Sequence, residues 1–268
     1  MSPVTGHLTV ERIGATLVLT LNRPEARNAL SLPMLAALHD GWLTADSDEG
    51  IRSVVLTGAG GAFCSGMDLK ALAGDGPSPD DPVRARFRAD PELHWKAMLR
   101  GYRPRKPVIA AVEGPCVAGG TEMLQGTDIR VAGASAVFGL FEVRRGLFPI
   151  GGSTVRLPRQ IPRTHALEML LTGRPYTAAE AERIGLVGQV VPDGTALARA
   201  LEIAELVNAN APLAVEAVKE SVHATAGLPE AEALERELAI GRPVFKTADA
   251  REGARAFAEK RPPVYRRI

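Results

Sequence analysis

The stretch Pro107-Val108-Ile109-Ala110-Ala111-Val112-Glu113-Gly114-Pro115-Cys116-Val117-Ala118-Gly119-Gly120-Thr121-Glu122 decides how this chain folds. From Pro107 to Val112 the apolar residues follow one another without alternation, which reads as a strand covered on both faces. Gly114-Pro115 breaks it. Gly119 and Gly120 then open a short helix over Ala118 to Gln125, where the first backbone N–H groups lack internal partners and carry partial positive charge. Such an end can stabilise an anion. Glu122 lies three residues past Gly119, on the same helix face and ~4.5 Å along the axis. One short element thus sets an anion-binding amide beside a proton-transfer carboxylate. Read alone, Glu122 is more often a first-turn glutamate complementing the helix dipole.

Outward from this stretch, strand and helix signals alternate. Thr16 to Leu21 is a β-prone run stopped by Asn22-Arg23-Pro24. Ser31 is placed to cap a helix with Pro33 just inside, running to about Leu43. Ser53 to Thr57 is a second buried strand, followed by Gly58-Ala59-Gly60-Gly61. Next comes the turn Ala62-Phe63-Cys64-Ser65-Gly66-Met67-Asp68, where a glycine lets the chain bend so that the Met67 amide faces a pocket. Asp68 suits the cap of a helix starting at Leu69. Gly74 to Pro82, rich in Gly, Pro and Asp, reads as a mobile loop. Leu93 to Arg103 reads as a helix, and Asp128 to Ala132 as a fourth strand. Helical periodicity then dominates, over 153–160, 163–172, 177–184, 195–208, 212–224, 229–240 and 249–260. The order implies an α/β core, residues 1–193, with a helical C-terminal region, residues 194–268.

A second glutamate stands out in Phe138-Gly139-Leu140-Phe141-Glu142, followed by Gly146-Leu147-Phe148-Pro149-Ile150-Gly151-Gly152-Ser153. Its local neighbours are apolar. Burial raises a carboxyl's pKa, and a second carboxylate nearby raises one of the pair further. That is how a glutamate keeps a proton to donate near neutral pH. The plainer alternative is a surface glutamate followed by a solvated Arg144-Arg145 pair.

Composition narrows the function classes. The chain has 268 residues, with 32 Lys+Arg against 31 Asp+Glu and a net charge of +1. A near-neutral balance argues against gripping nucleic acid through phosphates. With 46% hydrophobic and 24% charged residues it has the ordinary mixture of a globular protein, not of a disordered chain or coiled coil. Cys64 and Cys116 are too few for a disulfide framework and lack metal-ligand spacing. The five histidines are scattered, with no H-E-x-x-H, so no metal site is expected. A P-loop, a complete Rossmann glycine set and a G-x-S-x-G elbow are missing too. With neither a signal-peptide pattern at Met1 to Val10 nor an apolar run near ~18 residues, a cytoplasmic protein is expected.

Taken in order, these segments resemble the enoyl-CoA hydratase/isomerase (crotonase) superfamily. The resemblance begins at Leu21-Asn22-Arg23-Pro24-Glu25-Ala26-Arg27-Asn28-Ala29-Leu30 and includes Val55 to Gly58, Ala62 to Leu69, Pro107 to Glu122 and Phe138 to Gly152. It continues through Leu171 to Arg174 and Ala181 to Val191, and ends at Arg251 to Arg261. It implies a crotonase-like spiral of ββα units with a C-terminal helical region, assembled as homotrimers or homohexamers. The oxyanion hole then falls on the amides of Met67 and Gly119, and the catalytic carboxyls on Glu122 and Glu142. Family hydratases carry a carboxylate at both positions, whereas several isomerases keep one, so hydration of a trans-2-enoyl-CoA is expected. In that reading Glu142 protonates Cα.

The resemblance also implies that no cofactor is held permanently and that the substrate arrives as a coenzyme A thioester. Ala26, Arg27 and Ser65 line its channel by resemblance, while Phe257 and Lys260 reach the CoA of a neighbouring subunit. Pro149 is followed by Ile150 where the family usually has glycine, so a water-orienting amide there requires the Ile150 side chain to point away. The segments Gly119 to Asp128 and Arg156 to Pro162 resemble an actinobacterial branch, some of whose members act on steroid side-chain enoyl-CoAs. The alternatives are a Δ3-Δ2 enoyl-CoA isomerase or related dehydratase on the same site, and a catalytically silent acyl-CoA-binding protein.

Overall fold

The structure is a computed structural model that describes residues 6–68 and 81–268. Its strands are β1 (Leu8–Ile13), β2 (Thr16–Leu21), β3 (Ser53–Gly58), β4 (Val108–Val112), β5 (Pro115–Val117), β6 (Ile129–Gly133), β7 (Val137–Gly139), β8 (Tyr176–Thr177) and β9 (Gln189–Val191). Six of them form one sheet in the order β1-β2-β3-β4-β6-β9, and β5-β7-β8 form a second. Among the described residues, only the β1/β2 and β7/β8 pairs are antiparallel.

The uninterrupted apolar runs have the expected physical cause. In β2, β3 and β4, Leu17, Leu19, Val54, Leu56, Val108 and Ala110 pack into the larger core. The alternate residues Val18, Val55, Ile109 and Ala111 face Ala196, Ala200, Ile203 and Ala204. Those four belong to the helix Ala196–Asn208, which closes the second face of the sheet. A strand buried on both faces has no polar side to alternate with.

The early helices are α1 (Leu32–Ser47), α2 (Pro82–Ala89), α3 (Leu93–Ala97), α4 (Gly119–Leu124) and α5 (Ser153–Gln160). The later ones are α6 (Arg163–Thr172), α7 (Ala178–Arg183), α8 (Ala196–Asn208), α9 (Pro212–Ala224), α10 (Glu230–Gly241) and α11 (Ala248–Ala258). Ser31 caps α1 through the Met34 N–H, with proline in the first turn, as the sequence predicts.

Several elements differ from the sequence reading. The helix expected over Leu93 to Arg103 stops at Ala97, because Leu99 takes a left-handed φ of 59°. The carbonyls of Leu99 and Arg100 then turn to the Arg156 guanidinium instead of continuing a helix. The β1 strand escaped notice because only Leu8 in it is buried, which leaves no two-residue periodicity. β5, β7 and β8 are too short for any pattern. Of the expected loop Gly74 to Pro82, residues 74–80 lie outside the described residues, as does a helix starting at Leu69. Pro82 instead opens α2, capped by the Asp81 carboxylate on the Val83 and Arg84 N–H groups.

Candidate active site

Three extended segments run side by side and bring distant parts of the chain together. Cys64 bridges Cys116 in parallel, and β5 pairs in parallel with β7. The Val117 N–H donates to the Cys64 carbonyl at 2.9 Å, and the Ala118 N–H to the Gly139 carbonyl at 2.8 Å. Each segment then leads into a site element: Cys64 into the Gly66-Met67 turn, Val117 into α4, and Gly139 into Glu142.

In the first turn, the Leu30 N–H donates to the Gly66 carbonyl at 2.8 Å and the Asp68 N–H to the Leu30 carbonyl at 3.1 Å. This parallel bridge turns the intervening Met67 amide away from Leu30. Gly66 has φ +91°, and a Cβ there would lie 2.8 Å from the Ala118 Cβ and 3.2 Å from the Gly119 nitrogen. Only glycine lets the two turns touch. At the second turn Ala118 adopts φ 50° and ψ −127°, a conformation that a non-glycine residue holds only under constraint. From there α4 begins on the wall of a cavity. Among the described residues, no acceptor takes the amide N–H of Met67 or of Gly119.

That cavity has a volume of about 520 Å³. Met67, Ala118, Gly119, Glu122 and Glu142 border it, together with Arg27 and Ser65. Phe141, Leu147, Phe148 and Ile150 supply an apolar side, and Arg145 lies at its edge. Glu122 is only 5% exposed. Burial first, and then the Glu142 charge, push its carboxyl up to about 7, against the pull of the Gly151 and Ser153 N–H groups and the Ser153 hydroxyl. Glu142 opens the 3-10 turn Glu142–Arg145 and is half-buried. Burial raises its pKa as well, opposed by its own N–H and by Arg145. Each carboxyl keeps one buried oxygen, Glu122 Oε1 and Glu142 Oε2, that has no partner among the described residues.

Seven of the sequence-predicted residues thus gather in one region. Ala26 lies just behind the lining, where its carbonyl accepts from the Ser65 hydroxyl at 3.1 Å. The Ser65 N–H is anchored on the Arg27 carbonyl at 3.0 Å. Phe257, 88% exposed near the end of α11, and Lys260 beyond it do not border this cavity. Asp68 pairs with Arg23 at 2.9 Å. Ile150 borders the cavity with 57% of its surface exposed.

Sequence reasoning overlooked three contributors: Gly151, Ser153 and Arg145. Gly151-Gly152 before a helix start was the available signal, since a backbone without Cβ can approach another group closely. A Cβ on Gly151 would come within 2.6 Å of Glu122 Oε2. Arg145 is exposed, as its sequence reading has it, and its charge also acts on Glu142 and lowers its pKa.

Comparison with known proteins gives this geometry a context. The model of the enoyl-CoA hydratase/isomerase family matches residues 11–267. The enoyl-CoA hydratase EchA19 of Mycobacterium tuberculosis is 55% identical over 256 residues, covering 95% of this chain and 94% of that protein. The (E)-benzylidenesuccinyl-CoA hydratase of Thauera aromatica is 36% identical over 260 residues, covering 97% and 98%. The crystal structure of an enoyl-CoA hydratase from Mycobacterium tuberculosis H37Rv superposes with a TM-score of 0.88 at 38% identity, covering 98% of this chain and 100% of that one. The strand order, the paired turns and the two cavity carboxyls therefore belong to a chain of the enoyl-CoA hydratase/isomerase family, with the crotonase fold.

Proposed function

We propose that the protein adds water across the double bond of trans-2-enoyl-CoA thioesters. The observation that carries this reading is the convergence of two partner-free amides and two carboxyls on one cavity. The thioester oxygen sits between the Met67 and Gly119 amides, where negative charge develops as the enolate forms. Losing one such donor costs ~3–4 kcal/mol of transition-state stabilisation.

Water lies between the free oxygens of the two glutamates. Glu122 takes one water proton as the water oxygen bonds to Cβ, and the protonated Glu142 gives its proton to Cα. The Gly151 and Ser153 N–H groups and the Ser153 hydroxyl favour a negative charge on Glu122, against burial and the Glu142 charge, which push its carboxyl up to about 7, so the two acids share one proton as a coupled pair. After addition Glu122 is protonated and Glu142 ionised, so a proton passes back between them before the next turnover.

The CoA portion runs past Arg27, Ser65 and Ala26. Phe141, Leu147, Phe148 and Ile150 favour an apolar acyl group, a fatty acyl chain or a steroid side chain of β-oxidation. Homotrimers or homohexamers form through the 194–268 region, whose α9/α10 groove exposes Val218, Val222, Leu238 and Phe245. Phe257 and Lys260 then reach a neighbour's CoA. Among the described residues no helix is long and apolar enough to cross a membrane, and we place the protein in the cytoplasm.

The test follows loss of the conjugated thioester's ultraviolet absorbance with trans-2-enoyl-CoAs of graded length and bulk. Hydration is expected, with Glu122→Gln and Glu142→Gln each slowing turnover by about 10² or more. Tight CoA-ester binding without turnover on any substrate would favour a silent binding protein. Migration of a Δ3 double bond without water uptake would favour the isomerase.

A further inference from the structure

The peptide unit joining Ile150 to Gly151 is held at both ends. Its carbonyl accepts from Nε of Arg100 at 2.9 Å. Its N–H is directed at the Glu122 carboxyl, which it draws toward the ionised form. The two groups are so close that a Cβ on Gly151 would sit 2.6 Å from Glu122 Oε2 and 2.7 Å from its Cδ. A cation and a catalytic carboxyl are therefore separated by a single planar amide.

Arg100 is itself set in place. It follows the left-handed Leu99, and its N–H is fixed on the Trp95 carbonyl at 2.8 Å. Its guanidinium stands 5.0 Å from the Trp95 ring centroid, within cation–π range. The Arg156 guanidinium of α5 holds the carbonyls of Leu99 and Arg100 from behind. A positive charge on the peptide oxygen polarises the whole amide, which makes its N–H a stronger donor. A stronger donor both orients a carboxylate and favours its charged form.

We propose that Arg100 is a positioning residue for the hydration reaction, acting on Glu122 through the Ile150–Gly151 peptide. This rests on the reading of Glu122 as the group that takes the water proton. Other charges face the same carboxyl. Glu142 opposes its ionisation, and the Arg156 guanidinium favours it through space. Arg145 lies beside Glu142, Arg103 beside Arg156, and Arg27 across the cavity. Arg100 differs from all of these in touching the amide that touches Glu122.

The experiment compares wild type with Arg100→Met, Arg100→Gln and Arg100→Lys. Ionisation of Glu122 is followed directly, by carbon-13 NMR of carboxyl-labelled glutamate assigned with Glu122→Gln. In both neutral variants the Glu122 midpoint moves to higher pH. Their kcat at neutral pH falls about tenfold, as for weakening one hydrogen bond to a charged group. KM stays within about twofold, and the acid limb of the kcat profile moves with the Glu122 midpoint. Arg100→Lys keeps the charge and restores part of both effects. Arg100 is exposed, and having two neutral variants guards against one that fails to fold. An unmoved Glu122 midpoint in the neutral variants, or a loss confined to KM or melting temperature, overturns the inference. If the midpoint moves but even wild type hydrates no enoyl-CoA, the coupling stands and the proposed reaction falls.

Discussion

Replacing Glu122 by glutamine tests the site through stability as well as through activity. In the fold the carboxyl sits at about 7 instead of the ordinary 4.5, burial being the larger cause and Glu142 the second. Below pH 4.5 both folded and unfolded chains hold the proton, and the site carries no penalty. As pH rises from 4.5 toward 7 the unfolded chain releases its proton while the folded one retains it, so wild type loses stability. Above about 7 the loss is complete, and the shift converts to roughly 3 kcal/mol. Glutamine cannot ionise and escapes this slope. Its amide NH2 does meet the site where Glu122 Oε1 has no partner, which adds a pH-independent cost of about 1–3 kcal/mol. The informative quantity is therefore the difference between the two proteins as a function of pH. Urea unfolding at fixed protein concentration, near pH 4.5 and about pH 8, should show Glu122→Gln gaining roughly 3 kcal/mol on wild type across that interval. The same variant should lose turnover by about 10² or more. A stability difference that does not change with pH would refute the claim that Glu122 is buried beside a second carboxyl.

Other outcomes follow from the same geometry. Gly66→Ala drives a Cβ to within 2.8 Å of the Ala118 Cβ and into a left-handed φ, so kcat should fall while CoA-ester binding, read by calorimetry, persists. Gly151→Ala pushes a methyl against Glu122 Oε2 at 2.6 Å, and steady-state kinetics should show a kcat loss comparable to that of Glu122→Gln. Hydration needs one proton on the glutamate pair, so kcat should trace a bell against pH, falling when both are protonated and again when both are ionised. Ala118→Gly relieves a φ of 50° in a non-glycine residue and should leave the melting temperature unchanged or raise it, by up to about 1 kcal/mol of stability.

Much of this protein is legible along the chain because the signals are local. Buried parallel strands write themselves as apolar runs, as in Val108 to Val112, and Ser31 and Pro33 mark where α1 starts. Glycines at 66 and 120 stand at turns that side chains would block, and Glu122 follows its turn at a fixed helical spacing. Other features have no local cause. Whether Glu142 meets Glu122 depends on β7 lying beside β5, a pairing of two three-residue strands too short to carry a pattern. Leu93 to Arg103 has helical composition, yet Arg156, more than fifty residues later, takes the carbonyls of Leu99 and Arg100 as the helix ends early. The protonation of Glu122 is likewise set by what surrounds it in space: its burial, a second carboxyl and the edge of one peptide. The sequence by itself determined which residues are acids, turns and strands. Only the tertiary structure decided which of them share a cavity, because burial and proximity arise from packing between segments that no stretch of chain contains on its own.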